Sequence, residues 1–188
     1  MLIPRQAVPA LAVPTLDHGD YVLQHESPAQ FSLVVFYRGY HCPVCAKYLM
    51  ELGRLLPEFD ARGVSVVAIS SDAAPRARKM ADKIGMPALR MGYGLPLAVA
   101  RQWGLYVTEG HGKTSIGIDE PPMFSEPGVF LVRPDQTLYY GAVQTMPFAR
   151  PQFAELLTSV DFAITRNYPA RGEYTGPVSA AAQAEMAA

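Results

Sequence analysis

The stretch Phe31 to Met50, FSLVVFYRGYHCPVCAKYLM, constrains the fold more than any other part of this chain. Phe31–Tyr37 is almost wholly apolar and rich in β-branched and aromatic residues, which predicts a strand covered on both faces, as in a parallel or mixed sheet flanked by helices. Arg38-Gly39-Tyr40-His41 breaks the run, and Gly39 can take a positive φ at the turn. Cys42 then falls at an N-cap and Pro43 at the first helical position, where a missing N–H costs nothing. Cys45, Leu49, Leu52, Leu56 and Phe59 form one apolar helical stripe. Cys45 heads that stripe and is expected to be buried. Cys42, at the open helix end, is expected to be more accessible. Pro57 interrupts the pattern and predicts a kink or an early helix end.

The two cysteines are the only ones in the chain. Residues three apart on a helix have β-carbons roughly 5–6 Å apart, and a disulfide needs roughly 3.5–4.5 Å. Small local adjustment therefore lets Cys42 and Cys45 bridge. A helix start offers unpaired N–H groups and the positive end of the dipole, both of which favour a thiolate. With Arg38 and His41 just upstream, the pair has the features of a redox-active dithiol. Inert structural cysteines are one alternative. A zinc site is another, but Cys42, Cys45 and His41 supply three ligands at most, where a structural site takes four. A permanent disulfide is disfavoured in a reducing compartment.

Length favours a single domain over residues 1–170, with a flexible tail over 171–188. A net charge of −1 argues against a nucleic-acid partner. No apolar run approaches a membrane span, and the Pro-interrupted N-terminus has no signal-peptide core, so a cytoplasmic location is expected.

The remaining chain reads as follows. Residues 1–10 are a loose lead-in. Leu11–Leu16 and Tyr21–Leu23 are short strands about a turn, and Val64–Ser70 is a second central strand. Ser71-Asp72 are expected to cap a helix closed by Gly85, whose Arg76, Arg78, Lys79 and Lys83 form a solvated basic face. Leu89–Met91 is a short strand and Pro96–Trp103 a short helix. Residues 104–127 read as a long loop, either a lid or an insertion. Gly128–Val132 and Thr137–Ala142 form a hairpin, and Pro151–Tyr168 a final helix.

The block FYRGYHCPVCAKYL resembles the active-site segment of the thioredoxin-fold superfamily, and more narrowly the peroxiredoxin-like branch of the alkyl hydroperoxide reductase/thiol-specific antioxidant family. The resemblance spans roughly Pro9 to Tyr168 and implies an α/β, thioredoxin-like fold: a central mixed β-sheet flanked by helices, with an N-terminal extension. It implies a cis-proline ahead of the hairpin facing the cysteines, a place that Pro127 occupies. It also implies a thiol–disulfide oxidoreductase in which Cys42 attacks, Cys45 resolves, and Arg38, His41, Pro43 and Pro127 support. The alternative is a thiol-dependent peroxidase in which Cys45 is peroxidatic, with Cys42 in place of the family's Thr or Ser. A non-catalytic redox sensor is a further alternative. The family's Arg ahead of the hairpin is absent, as is the Pro after Phe-Tyr, which favours disulfide exchange. Implied partners are a protein disulfide or small hydroperoxide, a thiol donor such as the thioredoxin or glutathione system, and a second copy in a homodimer. No cofactor or metal is implied.

Overall fold

The computed structural model describes residues 2–178. The chain opens with β1 (Ala12–Pro14) and β2 (Asp20–Val22), an antiparallel pair about the turn at Gly19. β3 (Phe31–Phe36) leads to α1 (Pro43–Arg54) and then α2 (Leu56–Asp60). The break between the two helices falls at Leu55, with Pro57 in the first turn of α2, as the missing N–H of proline requires. β4 (Val64–Ile69), α3 (Ala74–Ile84), β5 (Arg90–Gly92) and α4 (Leu97–Gln102) follow. β6 (Val107–Glu109) and β7 (Met123–Ser125) precede the hairpin of β8 (Gly128–Val132) and β9 (Leu138–Val143), and α5 (Phe153–Thr165) is the last helix.

The central sheet has the order β5-β4-β3-β8-β9. β3, β4 and β5 are parallel, whereas β8 runs antiparallel to both β3 and β9. Every residue of β3 is buried, because both sheet faces are covered. Leu33, Val35 and Tyr37 face Cys45, Leu49 and Leu52 of α1, Met80 of α3, and Phe153 and Val160 of α5. Val34 and Phe36 face Leu11, Tyr21, Trp103 and Leu105 on the other side. The alternation is the period-2 consequence of strand geometry. The result is the expected mixed sheet between helices, with the cysteines at the exit of its middle strand.

Three expectations are corrected. Residues 5–8 are not a loose lead-in: the amides of Arg5 and Val8 donate to Leu138 and Gln136, at 2.8 and 3.0 Å, and Ala7 bridges Thr137. They cover the edge of β9, which would otherwise present unpaired backbone groups. Residues 104–127 are not a structureless loop but a β-hairpin arm, in which β6 pairs with β7 and Lys113 bridges Asp119. Its short strands alternate with Gly and Pro, which hides their period. Finally, α3 is capped at Ala73 without a side-chain bond, and Asp72 turns inward instead. Of the expected tail, Glu173 pairs with Arg5 at 3.2 Å, and 179–188 lie outside the described residues.

Asp72 is 2% exposed and accepts from the Tyr40 amide at 2.7 Å and from Arg76 Nε at 2.9 Å. It thereby ties the start of α3 to the turn after β3. Gly39 makes this possible. Its φ is +136°, and a β-carbon there would lie 2.6 Å from Asp72 Oδ2. Gly39→Ala is therefore expected to destabilise the fold by about 2 kcal/mol, through backbone strain and the loss of a buried carboxylate's partners. Urea unfolding of the reduced protein measures this, and a variant within 0.5 kcal/mol of the parent, on the order of an ordinary surface change, would refute it.

Candidate active site

The site begins where β3 ends. Gly39 turns the chain, and the Cys42 amide donates to the Gly39 carbonyl at 3.1 Å. Cys42 takes the N-cap with extended backbone (φ −96°, ψ 106°), and Pro43 stands in the first helical turn. The Cys45 N–H donates to Cys42 Sγ at 3.2 Å. The sulfur thus does what a Ser or Asp oxygen does at an ordinary N-cap, satisfying one of the unpaired amides of the helix start. Both thiols are free.

The expectation of an accessible Cys42 is corrected: Cys42 is 1% and Cys45 0% exposed. Arg150, a residue that the sequence analysis did not single out, lies against both. Its Nη2 is 3.1 Å from Cys45 Sγ and 3.8 Å from Cys42 Sγ. The segment between β9 and α5 carries it there, pinned by the Tyr48 hydroxyl, which donates to the Pro151 carbonyl at 2.6 Å. The Arg150 guanidinium also stacks over the Tyr48 ring, 5.1 Å from its centroid. Nε and Nη1 of Arg150 are buried and have no partner among the described residues. The charge is therefore committed to the sulfurs.

The two sulfurs are driven apart in acidity. Cys42 is lowered to a pKa of about 6, first by the hydrogen bond from the Cys45 thiol, against the opposing effect of burial, and further by the Cys45 amide and the charges of Arg150 and Arg38. Cys45 is raised well above the ordinary thiol value by burial, by its donation to Cys42 and by the Cys42 charge, which Arg150 offsets only in part. At neutral pH the pair holds one proton, on Cys45. This is the order of acidities that the helix-start argument leads to.

The supporting residues fare differently. Arg38 places Nε 3.1 Å from Glu126 and Nη2 3.4 Å from Glu120, and it lies over the Phe124 ring at 4.7 Å. Two carboxylates of the hairpin arm occupy its charge, so its effect on Cys42 is the smallest of those named. His41 is fully buried against Phe124, with ring centroids 4.5 Å apart and no partner for either nitrogen among the described residues. Burial, then the charge of Arg38, lowers its pKa to about 4. It is neutral at pH 7 and supplies no positive charge to the thiolate, contrary to expectation. The expected cis bond at Pro127 is also corrected, since every peptide bond among the described residues is trans. The reason is local. The chain runs from β7 through Glu126 and Pro127 straight into β8, with the Glu126 amide bound to Tyr106 O and Pro127 O bound to the Gln144 amide. An edge-to-edge continuation of this kind needs no reversal.

The basic group on α3 is structural. Arg76 serves Asp72, Arg78 pairs with Asp17, and Lys79 and Lys83 sit 6.0 and 5.9 Å from the Tyr40 ring. Among the described residues, no group of three His, Cys, Asp or Glu side chains is placed to hold a metal ion.

The buried imidazole carries a pH dependence. Above pH 6.5 His41 is neutral in both folded and unfolded chains and contributes no pH dependence. Below it the unfolded chain binds a proton that the folded one takes up only near pH 4. Stability should therefore fall as pH drops from 6.5 to 4. In His41→Phe, which keeps the stacking on Phe124, that part of the slope should vanish, as read from urea midpoints at each pH. Parallel profiles for the two proteins would contradict the assignment.

A model of the AhpC/TSA family matches residues 4–141. No curated protein sequence matches the chain. Among solved structures, peroxiredoxin 6 of Arenicola marina superposes with a TM-score of 0.71 at 18% identity, covering 99% of this chain and 89% of that one. The peroxidoxin BcpB of Mycobacterium tuberculosis gives 0.66 at 18% identity over 86% and 98%. AhpC of the same organism gives 0.67 at 14% identity over 87% and 98%. With a matching family model over most of its length and a shared thioredoxin-like architecture, the chain belongs to the AhpC/TSA family and is a thiol-dependent oxidoreductase.

Proposed function

We propose that the protein is a thiol-dependent peroxidase that reduces a small hydroperoxide and closes a Cys42–Cys45 disulfide. The observation that carries this reading is a thiolate–thiol pair shut off from solvent with one guanidinium on both sulfurs. A peroxide group is small enough to enter such a site, whereas a protein disulfide is not. The trans geometry at Pro127 also removes the expected docking edge for a substrate polypeptide.

In this mechanism the Cys42 thiolate attacks the terminal oxygen of ROOH and the O–O bond breaks. The leaving alkoxide takes the proton of the Cys45 thiol and departs as ROH, while Cys42 becomes a sulfenic acid. Arg150 stabilises the negative charge as it passes from sulfur to oxygen. The neutral sulfenic acid no longer repels charge at Cys45, so the second thiolate forms as the first is consumed. Cys45 then attacks the Cys42 sulfur. Hydroxide leaves, takes a proton from solvent, and the disulfide closes. An external dithiol supplies the two electrons that reopen it. The depressed acidity of Cys42 at the helix start favours a second reading, direct thiol–disulfide exchange with a substrate that enters after local opening.

Three proteins and two substrates separate these readings. Peroxide consumption by the parent should rise with pH as the Cys42 thiolate forms, with a midpoint near 6. Cys42→Ser should lose more than roughly a hundredfold in rate, and Cys45→Ser should accumulate sulfenic acid on Cys42, seen by mass spectrometry after trapping. Rapid peroxide turnover by Cys42→Ser would assign the attack to Cys45. Fast reduction of a protein disulfide by a parent inert to peroxide would establish the second reading.

Arg150→Met, close in length and uncharged, should raise the pH midpoint of peroxide consumption and slow turnover by about 10–100-fold, on the order of losing one charged transition-state donor. An unchanged midpoint and rate in stopped-flow assays would remove Arg150 from the mechanism.

A further inference from the structure

The sheet face opposite the cysteines carries a cavity of about 530 Å³. Its floor and walls are Trp103, Leu105, Phe130, Leu138, Val143 and, from the N-terminal segment, Leu2. This volume lies within the range of sites that hold small organic ligands, which span roughly 300–1,000 Å³ and are mostly apolar with few polar groups. Two of its wall positions lack side chains. Gly104, at φ +78°, turns the chain after α4, and Gly141 on β9 faces the Phe130 ring, where a β-carbon would come within 3.1 Å. Behind it, Trp103, Phe36 and Phe130 form a tilted and edge-on aromatic group with centroids 5.1 to 5.8 Å apart. The floor is thus rigid, and it does not close the space by collapse.

One charged side chain reaches the lining. Arg101, in the last turn of α4, is exposed and makes no ion pair among the described residues. Arg5, Arg38, Arg62, Arg76, Arg78 and Arg90, by contrast, are held by carboxylates. Tyr106, 55% exposed, stands beside Arg101 in the lining and offers an amphipathic edge. An apolar chamber with a single unneutralised guanidinium and no acidic residue in its lining is complementary to a ligand with a hydrocarbon body and one anionic head.

We propose that this cavity binds a small amphipathic carboxylate, its apolar part against Leu2, Val143 and the Tyr106 ring and its carboxylate on Arg101. The charge-assisted bond to Arg101 sets the preference for the anion, and burial of the hydrocarbon supplies most of the affinity. The site is independent of the cysteines, which lie across the sheet in the other core.

Trp103 is the only tryptophan in the chain and lies buried directly beneath the cavity, so its fluorescence reports on the lining above it. Sodium octanoate titrated into the full-length reduced protein should give a saturable change in Trp103 fluorescence, and 1-octanol a weaker one. Arg101→Gln should weaken octanoate about tenfold, a loss of about 1.4 kcal/mol, and leave octanol unchanged. Val143→Phe should weaken both, measured by calorimetry, with peroxide consumption at the parent level as proof of an intact fold. No saturable response, or an octanoate-to-octanol ratio that Arg101→Gln does not alter, would overturn the proposal.

Discussion

A negative charge on sulfur, buried to 1% exposure, is the condition on which the rest of this structure turns. Removing a charge from water is costly unless it is paired and hydrogen-bonded. The fold meets that cost from three directions: the helix amide of Cys45, the Cys45 thiol, and the Arg150 guanidinium. All three oppose burial, which by itself pushes a thiol the other way, as Cys45 shows. The difference between the two cysteines therefore joins the N-cap position of Cys42 to the surroundings that the pair shares. It also makes the pair asymmetric before any substrate arrives.

A second layer holds this first one in place. Asp72 fixes the Tyr40 amide and Arg76, and Arg76 reaches the Asp119 carbonyl on the hairpin arm at 3.1 Å. The arm returns Glu120 and Glu126 to Arg38 and sets Phe124 against His41. The turn ahead of the cysteines is thus gripped from α3 on one side and from β6–β7 on the other. Arg38, which by sequence position looks like a partner for the thiolate, is instead the fastener of the arm. Buried ion pairs of this kind give weak net stability but a well-defined geometry.

What the sequence made legible, and what it hid, follows range of interaction. The strand, turn and helix around Cys42 and Cys45 depend on contacts within a few residues, and they formed as Gly39, Pro43 and the apolar stripe require. The end of α1 at Pro57 was legible for the same reason. Arg150 was not, because nothing local distinguishes it: it is one of 16 basic residues, more than a hundred positions from the sulfurs it serves. The Arg missing ahead of the hairpin left its place open but pointed to no particular residue to fill it. The accessibility of Cys42 was misjudged for the same cause, since the chain that covers it arrives from far away. Pro127 was misplaced because its role was carried over from the resemblance as a cis-proline facing the cysteines, whereas here its bond is trans and its carbonyl is taken by the Gln144 amide.

The distance in sequence between Arg150 and the cysteines has a consequence for the order of events in a growing chain. The family match ends at residue 141, before the guanidinium is reached. A chain made as far as β9 contains both thiols and the whole central sheet, yet lacks the charge that draws one of them into its anionic form and the segment that closes them off. Its Cys42 keeps the Cys45 thiol and amide as partners but lacks the guanidinium that lies on both sulfurs. The site is complete only once Pro151 meets Tyr48 and α5 stacks Phe153 on the Tyr48 ring. Because Phe153 and Val160 of α5 also complete the core beneath the cysteines, the segment that brings the charge is the same one that closes the fold on that side of the sheet.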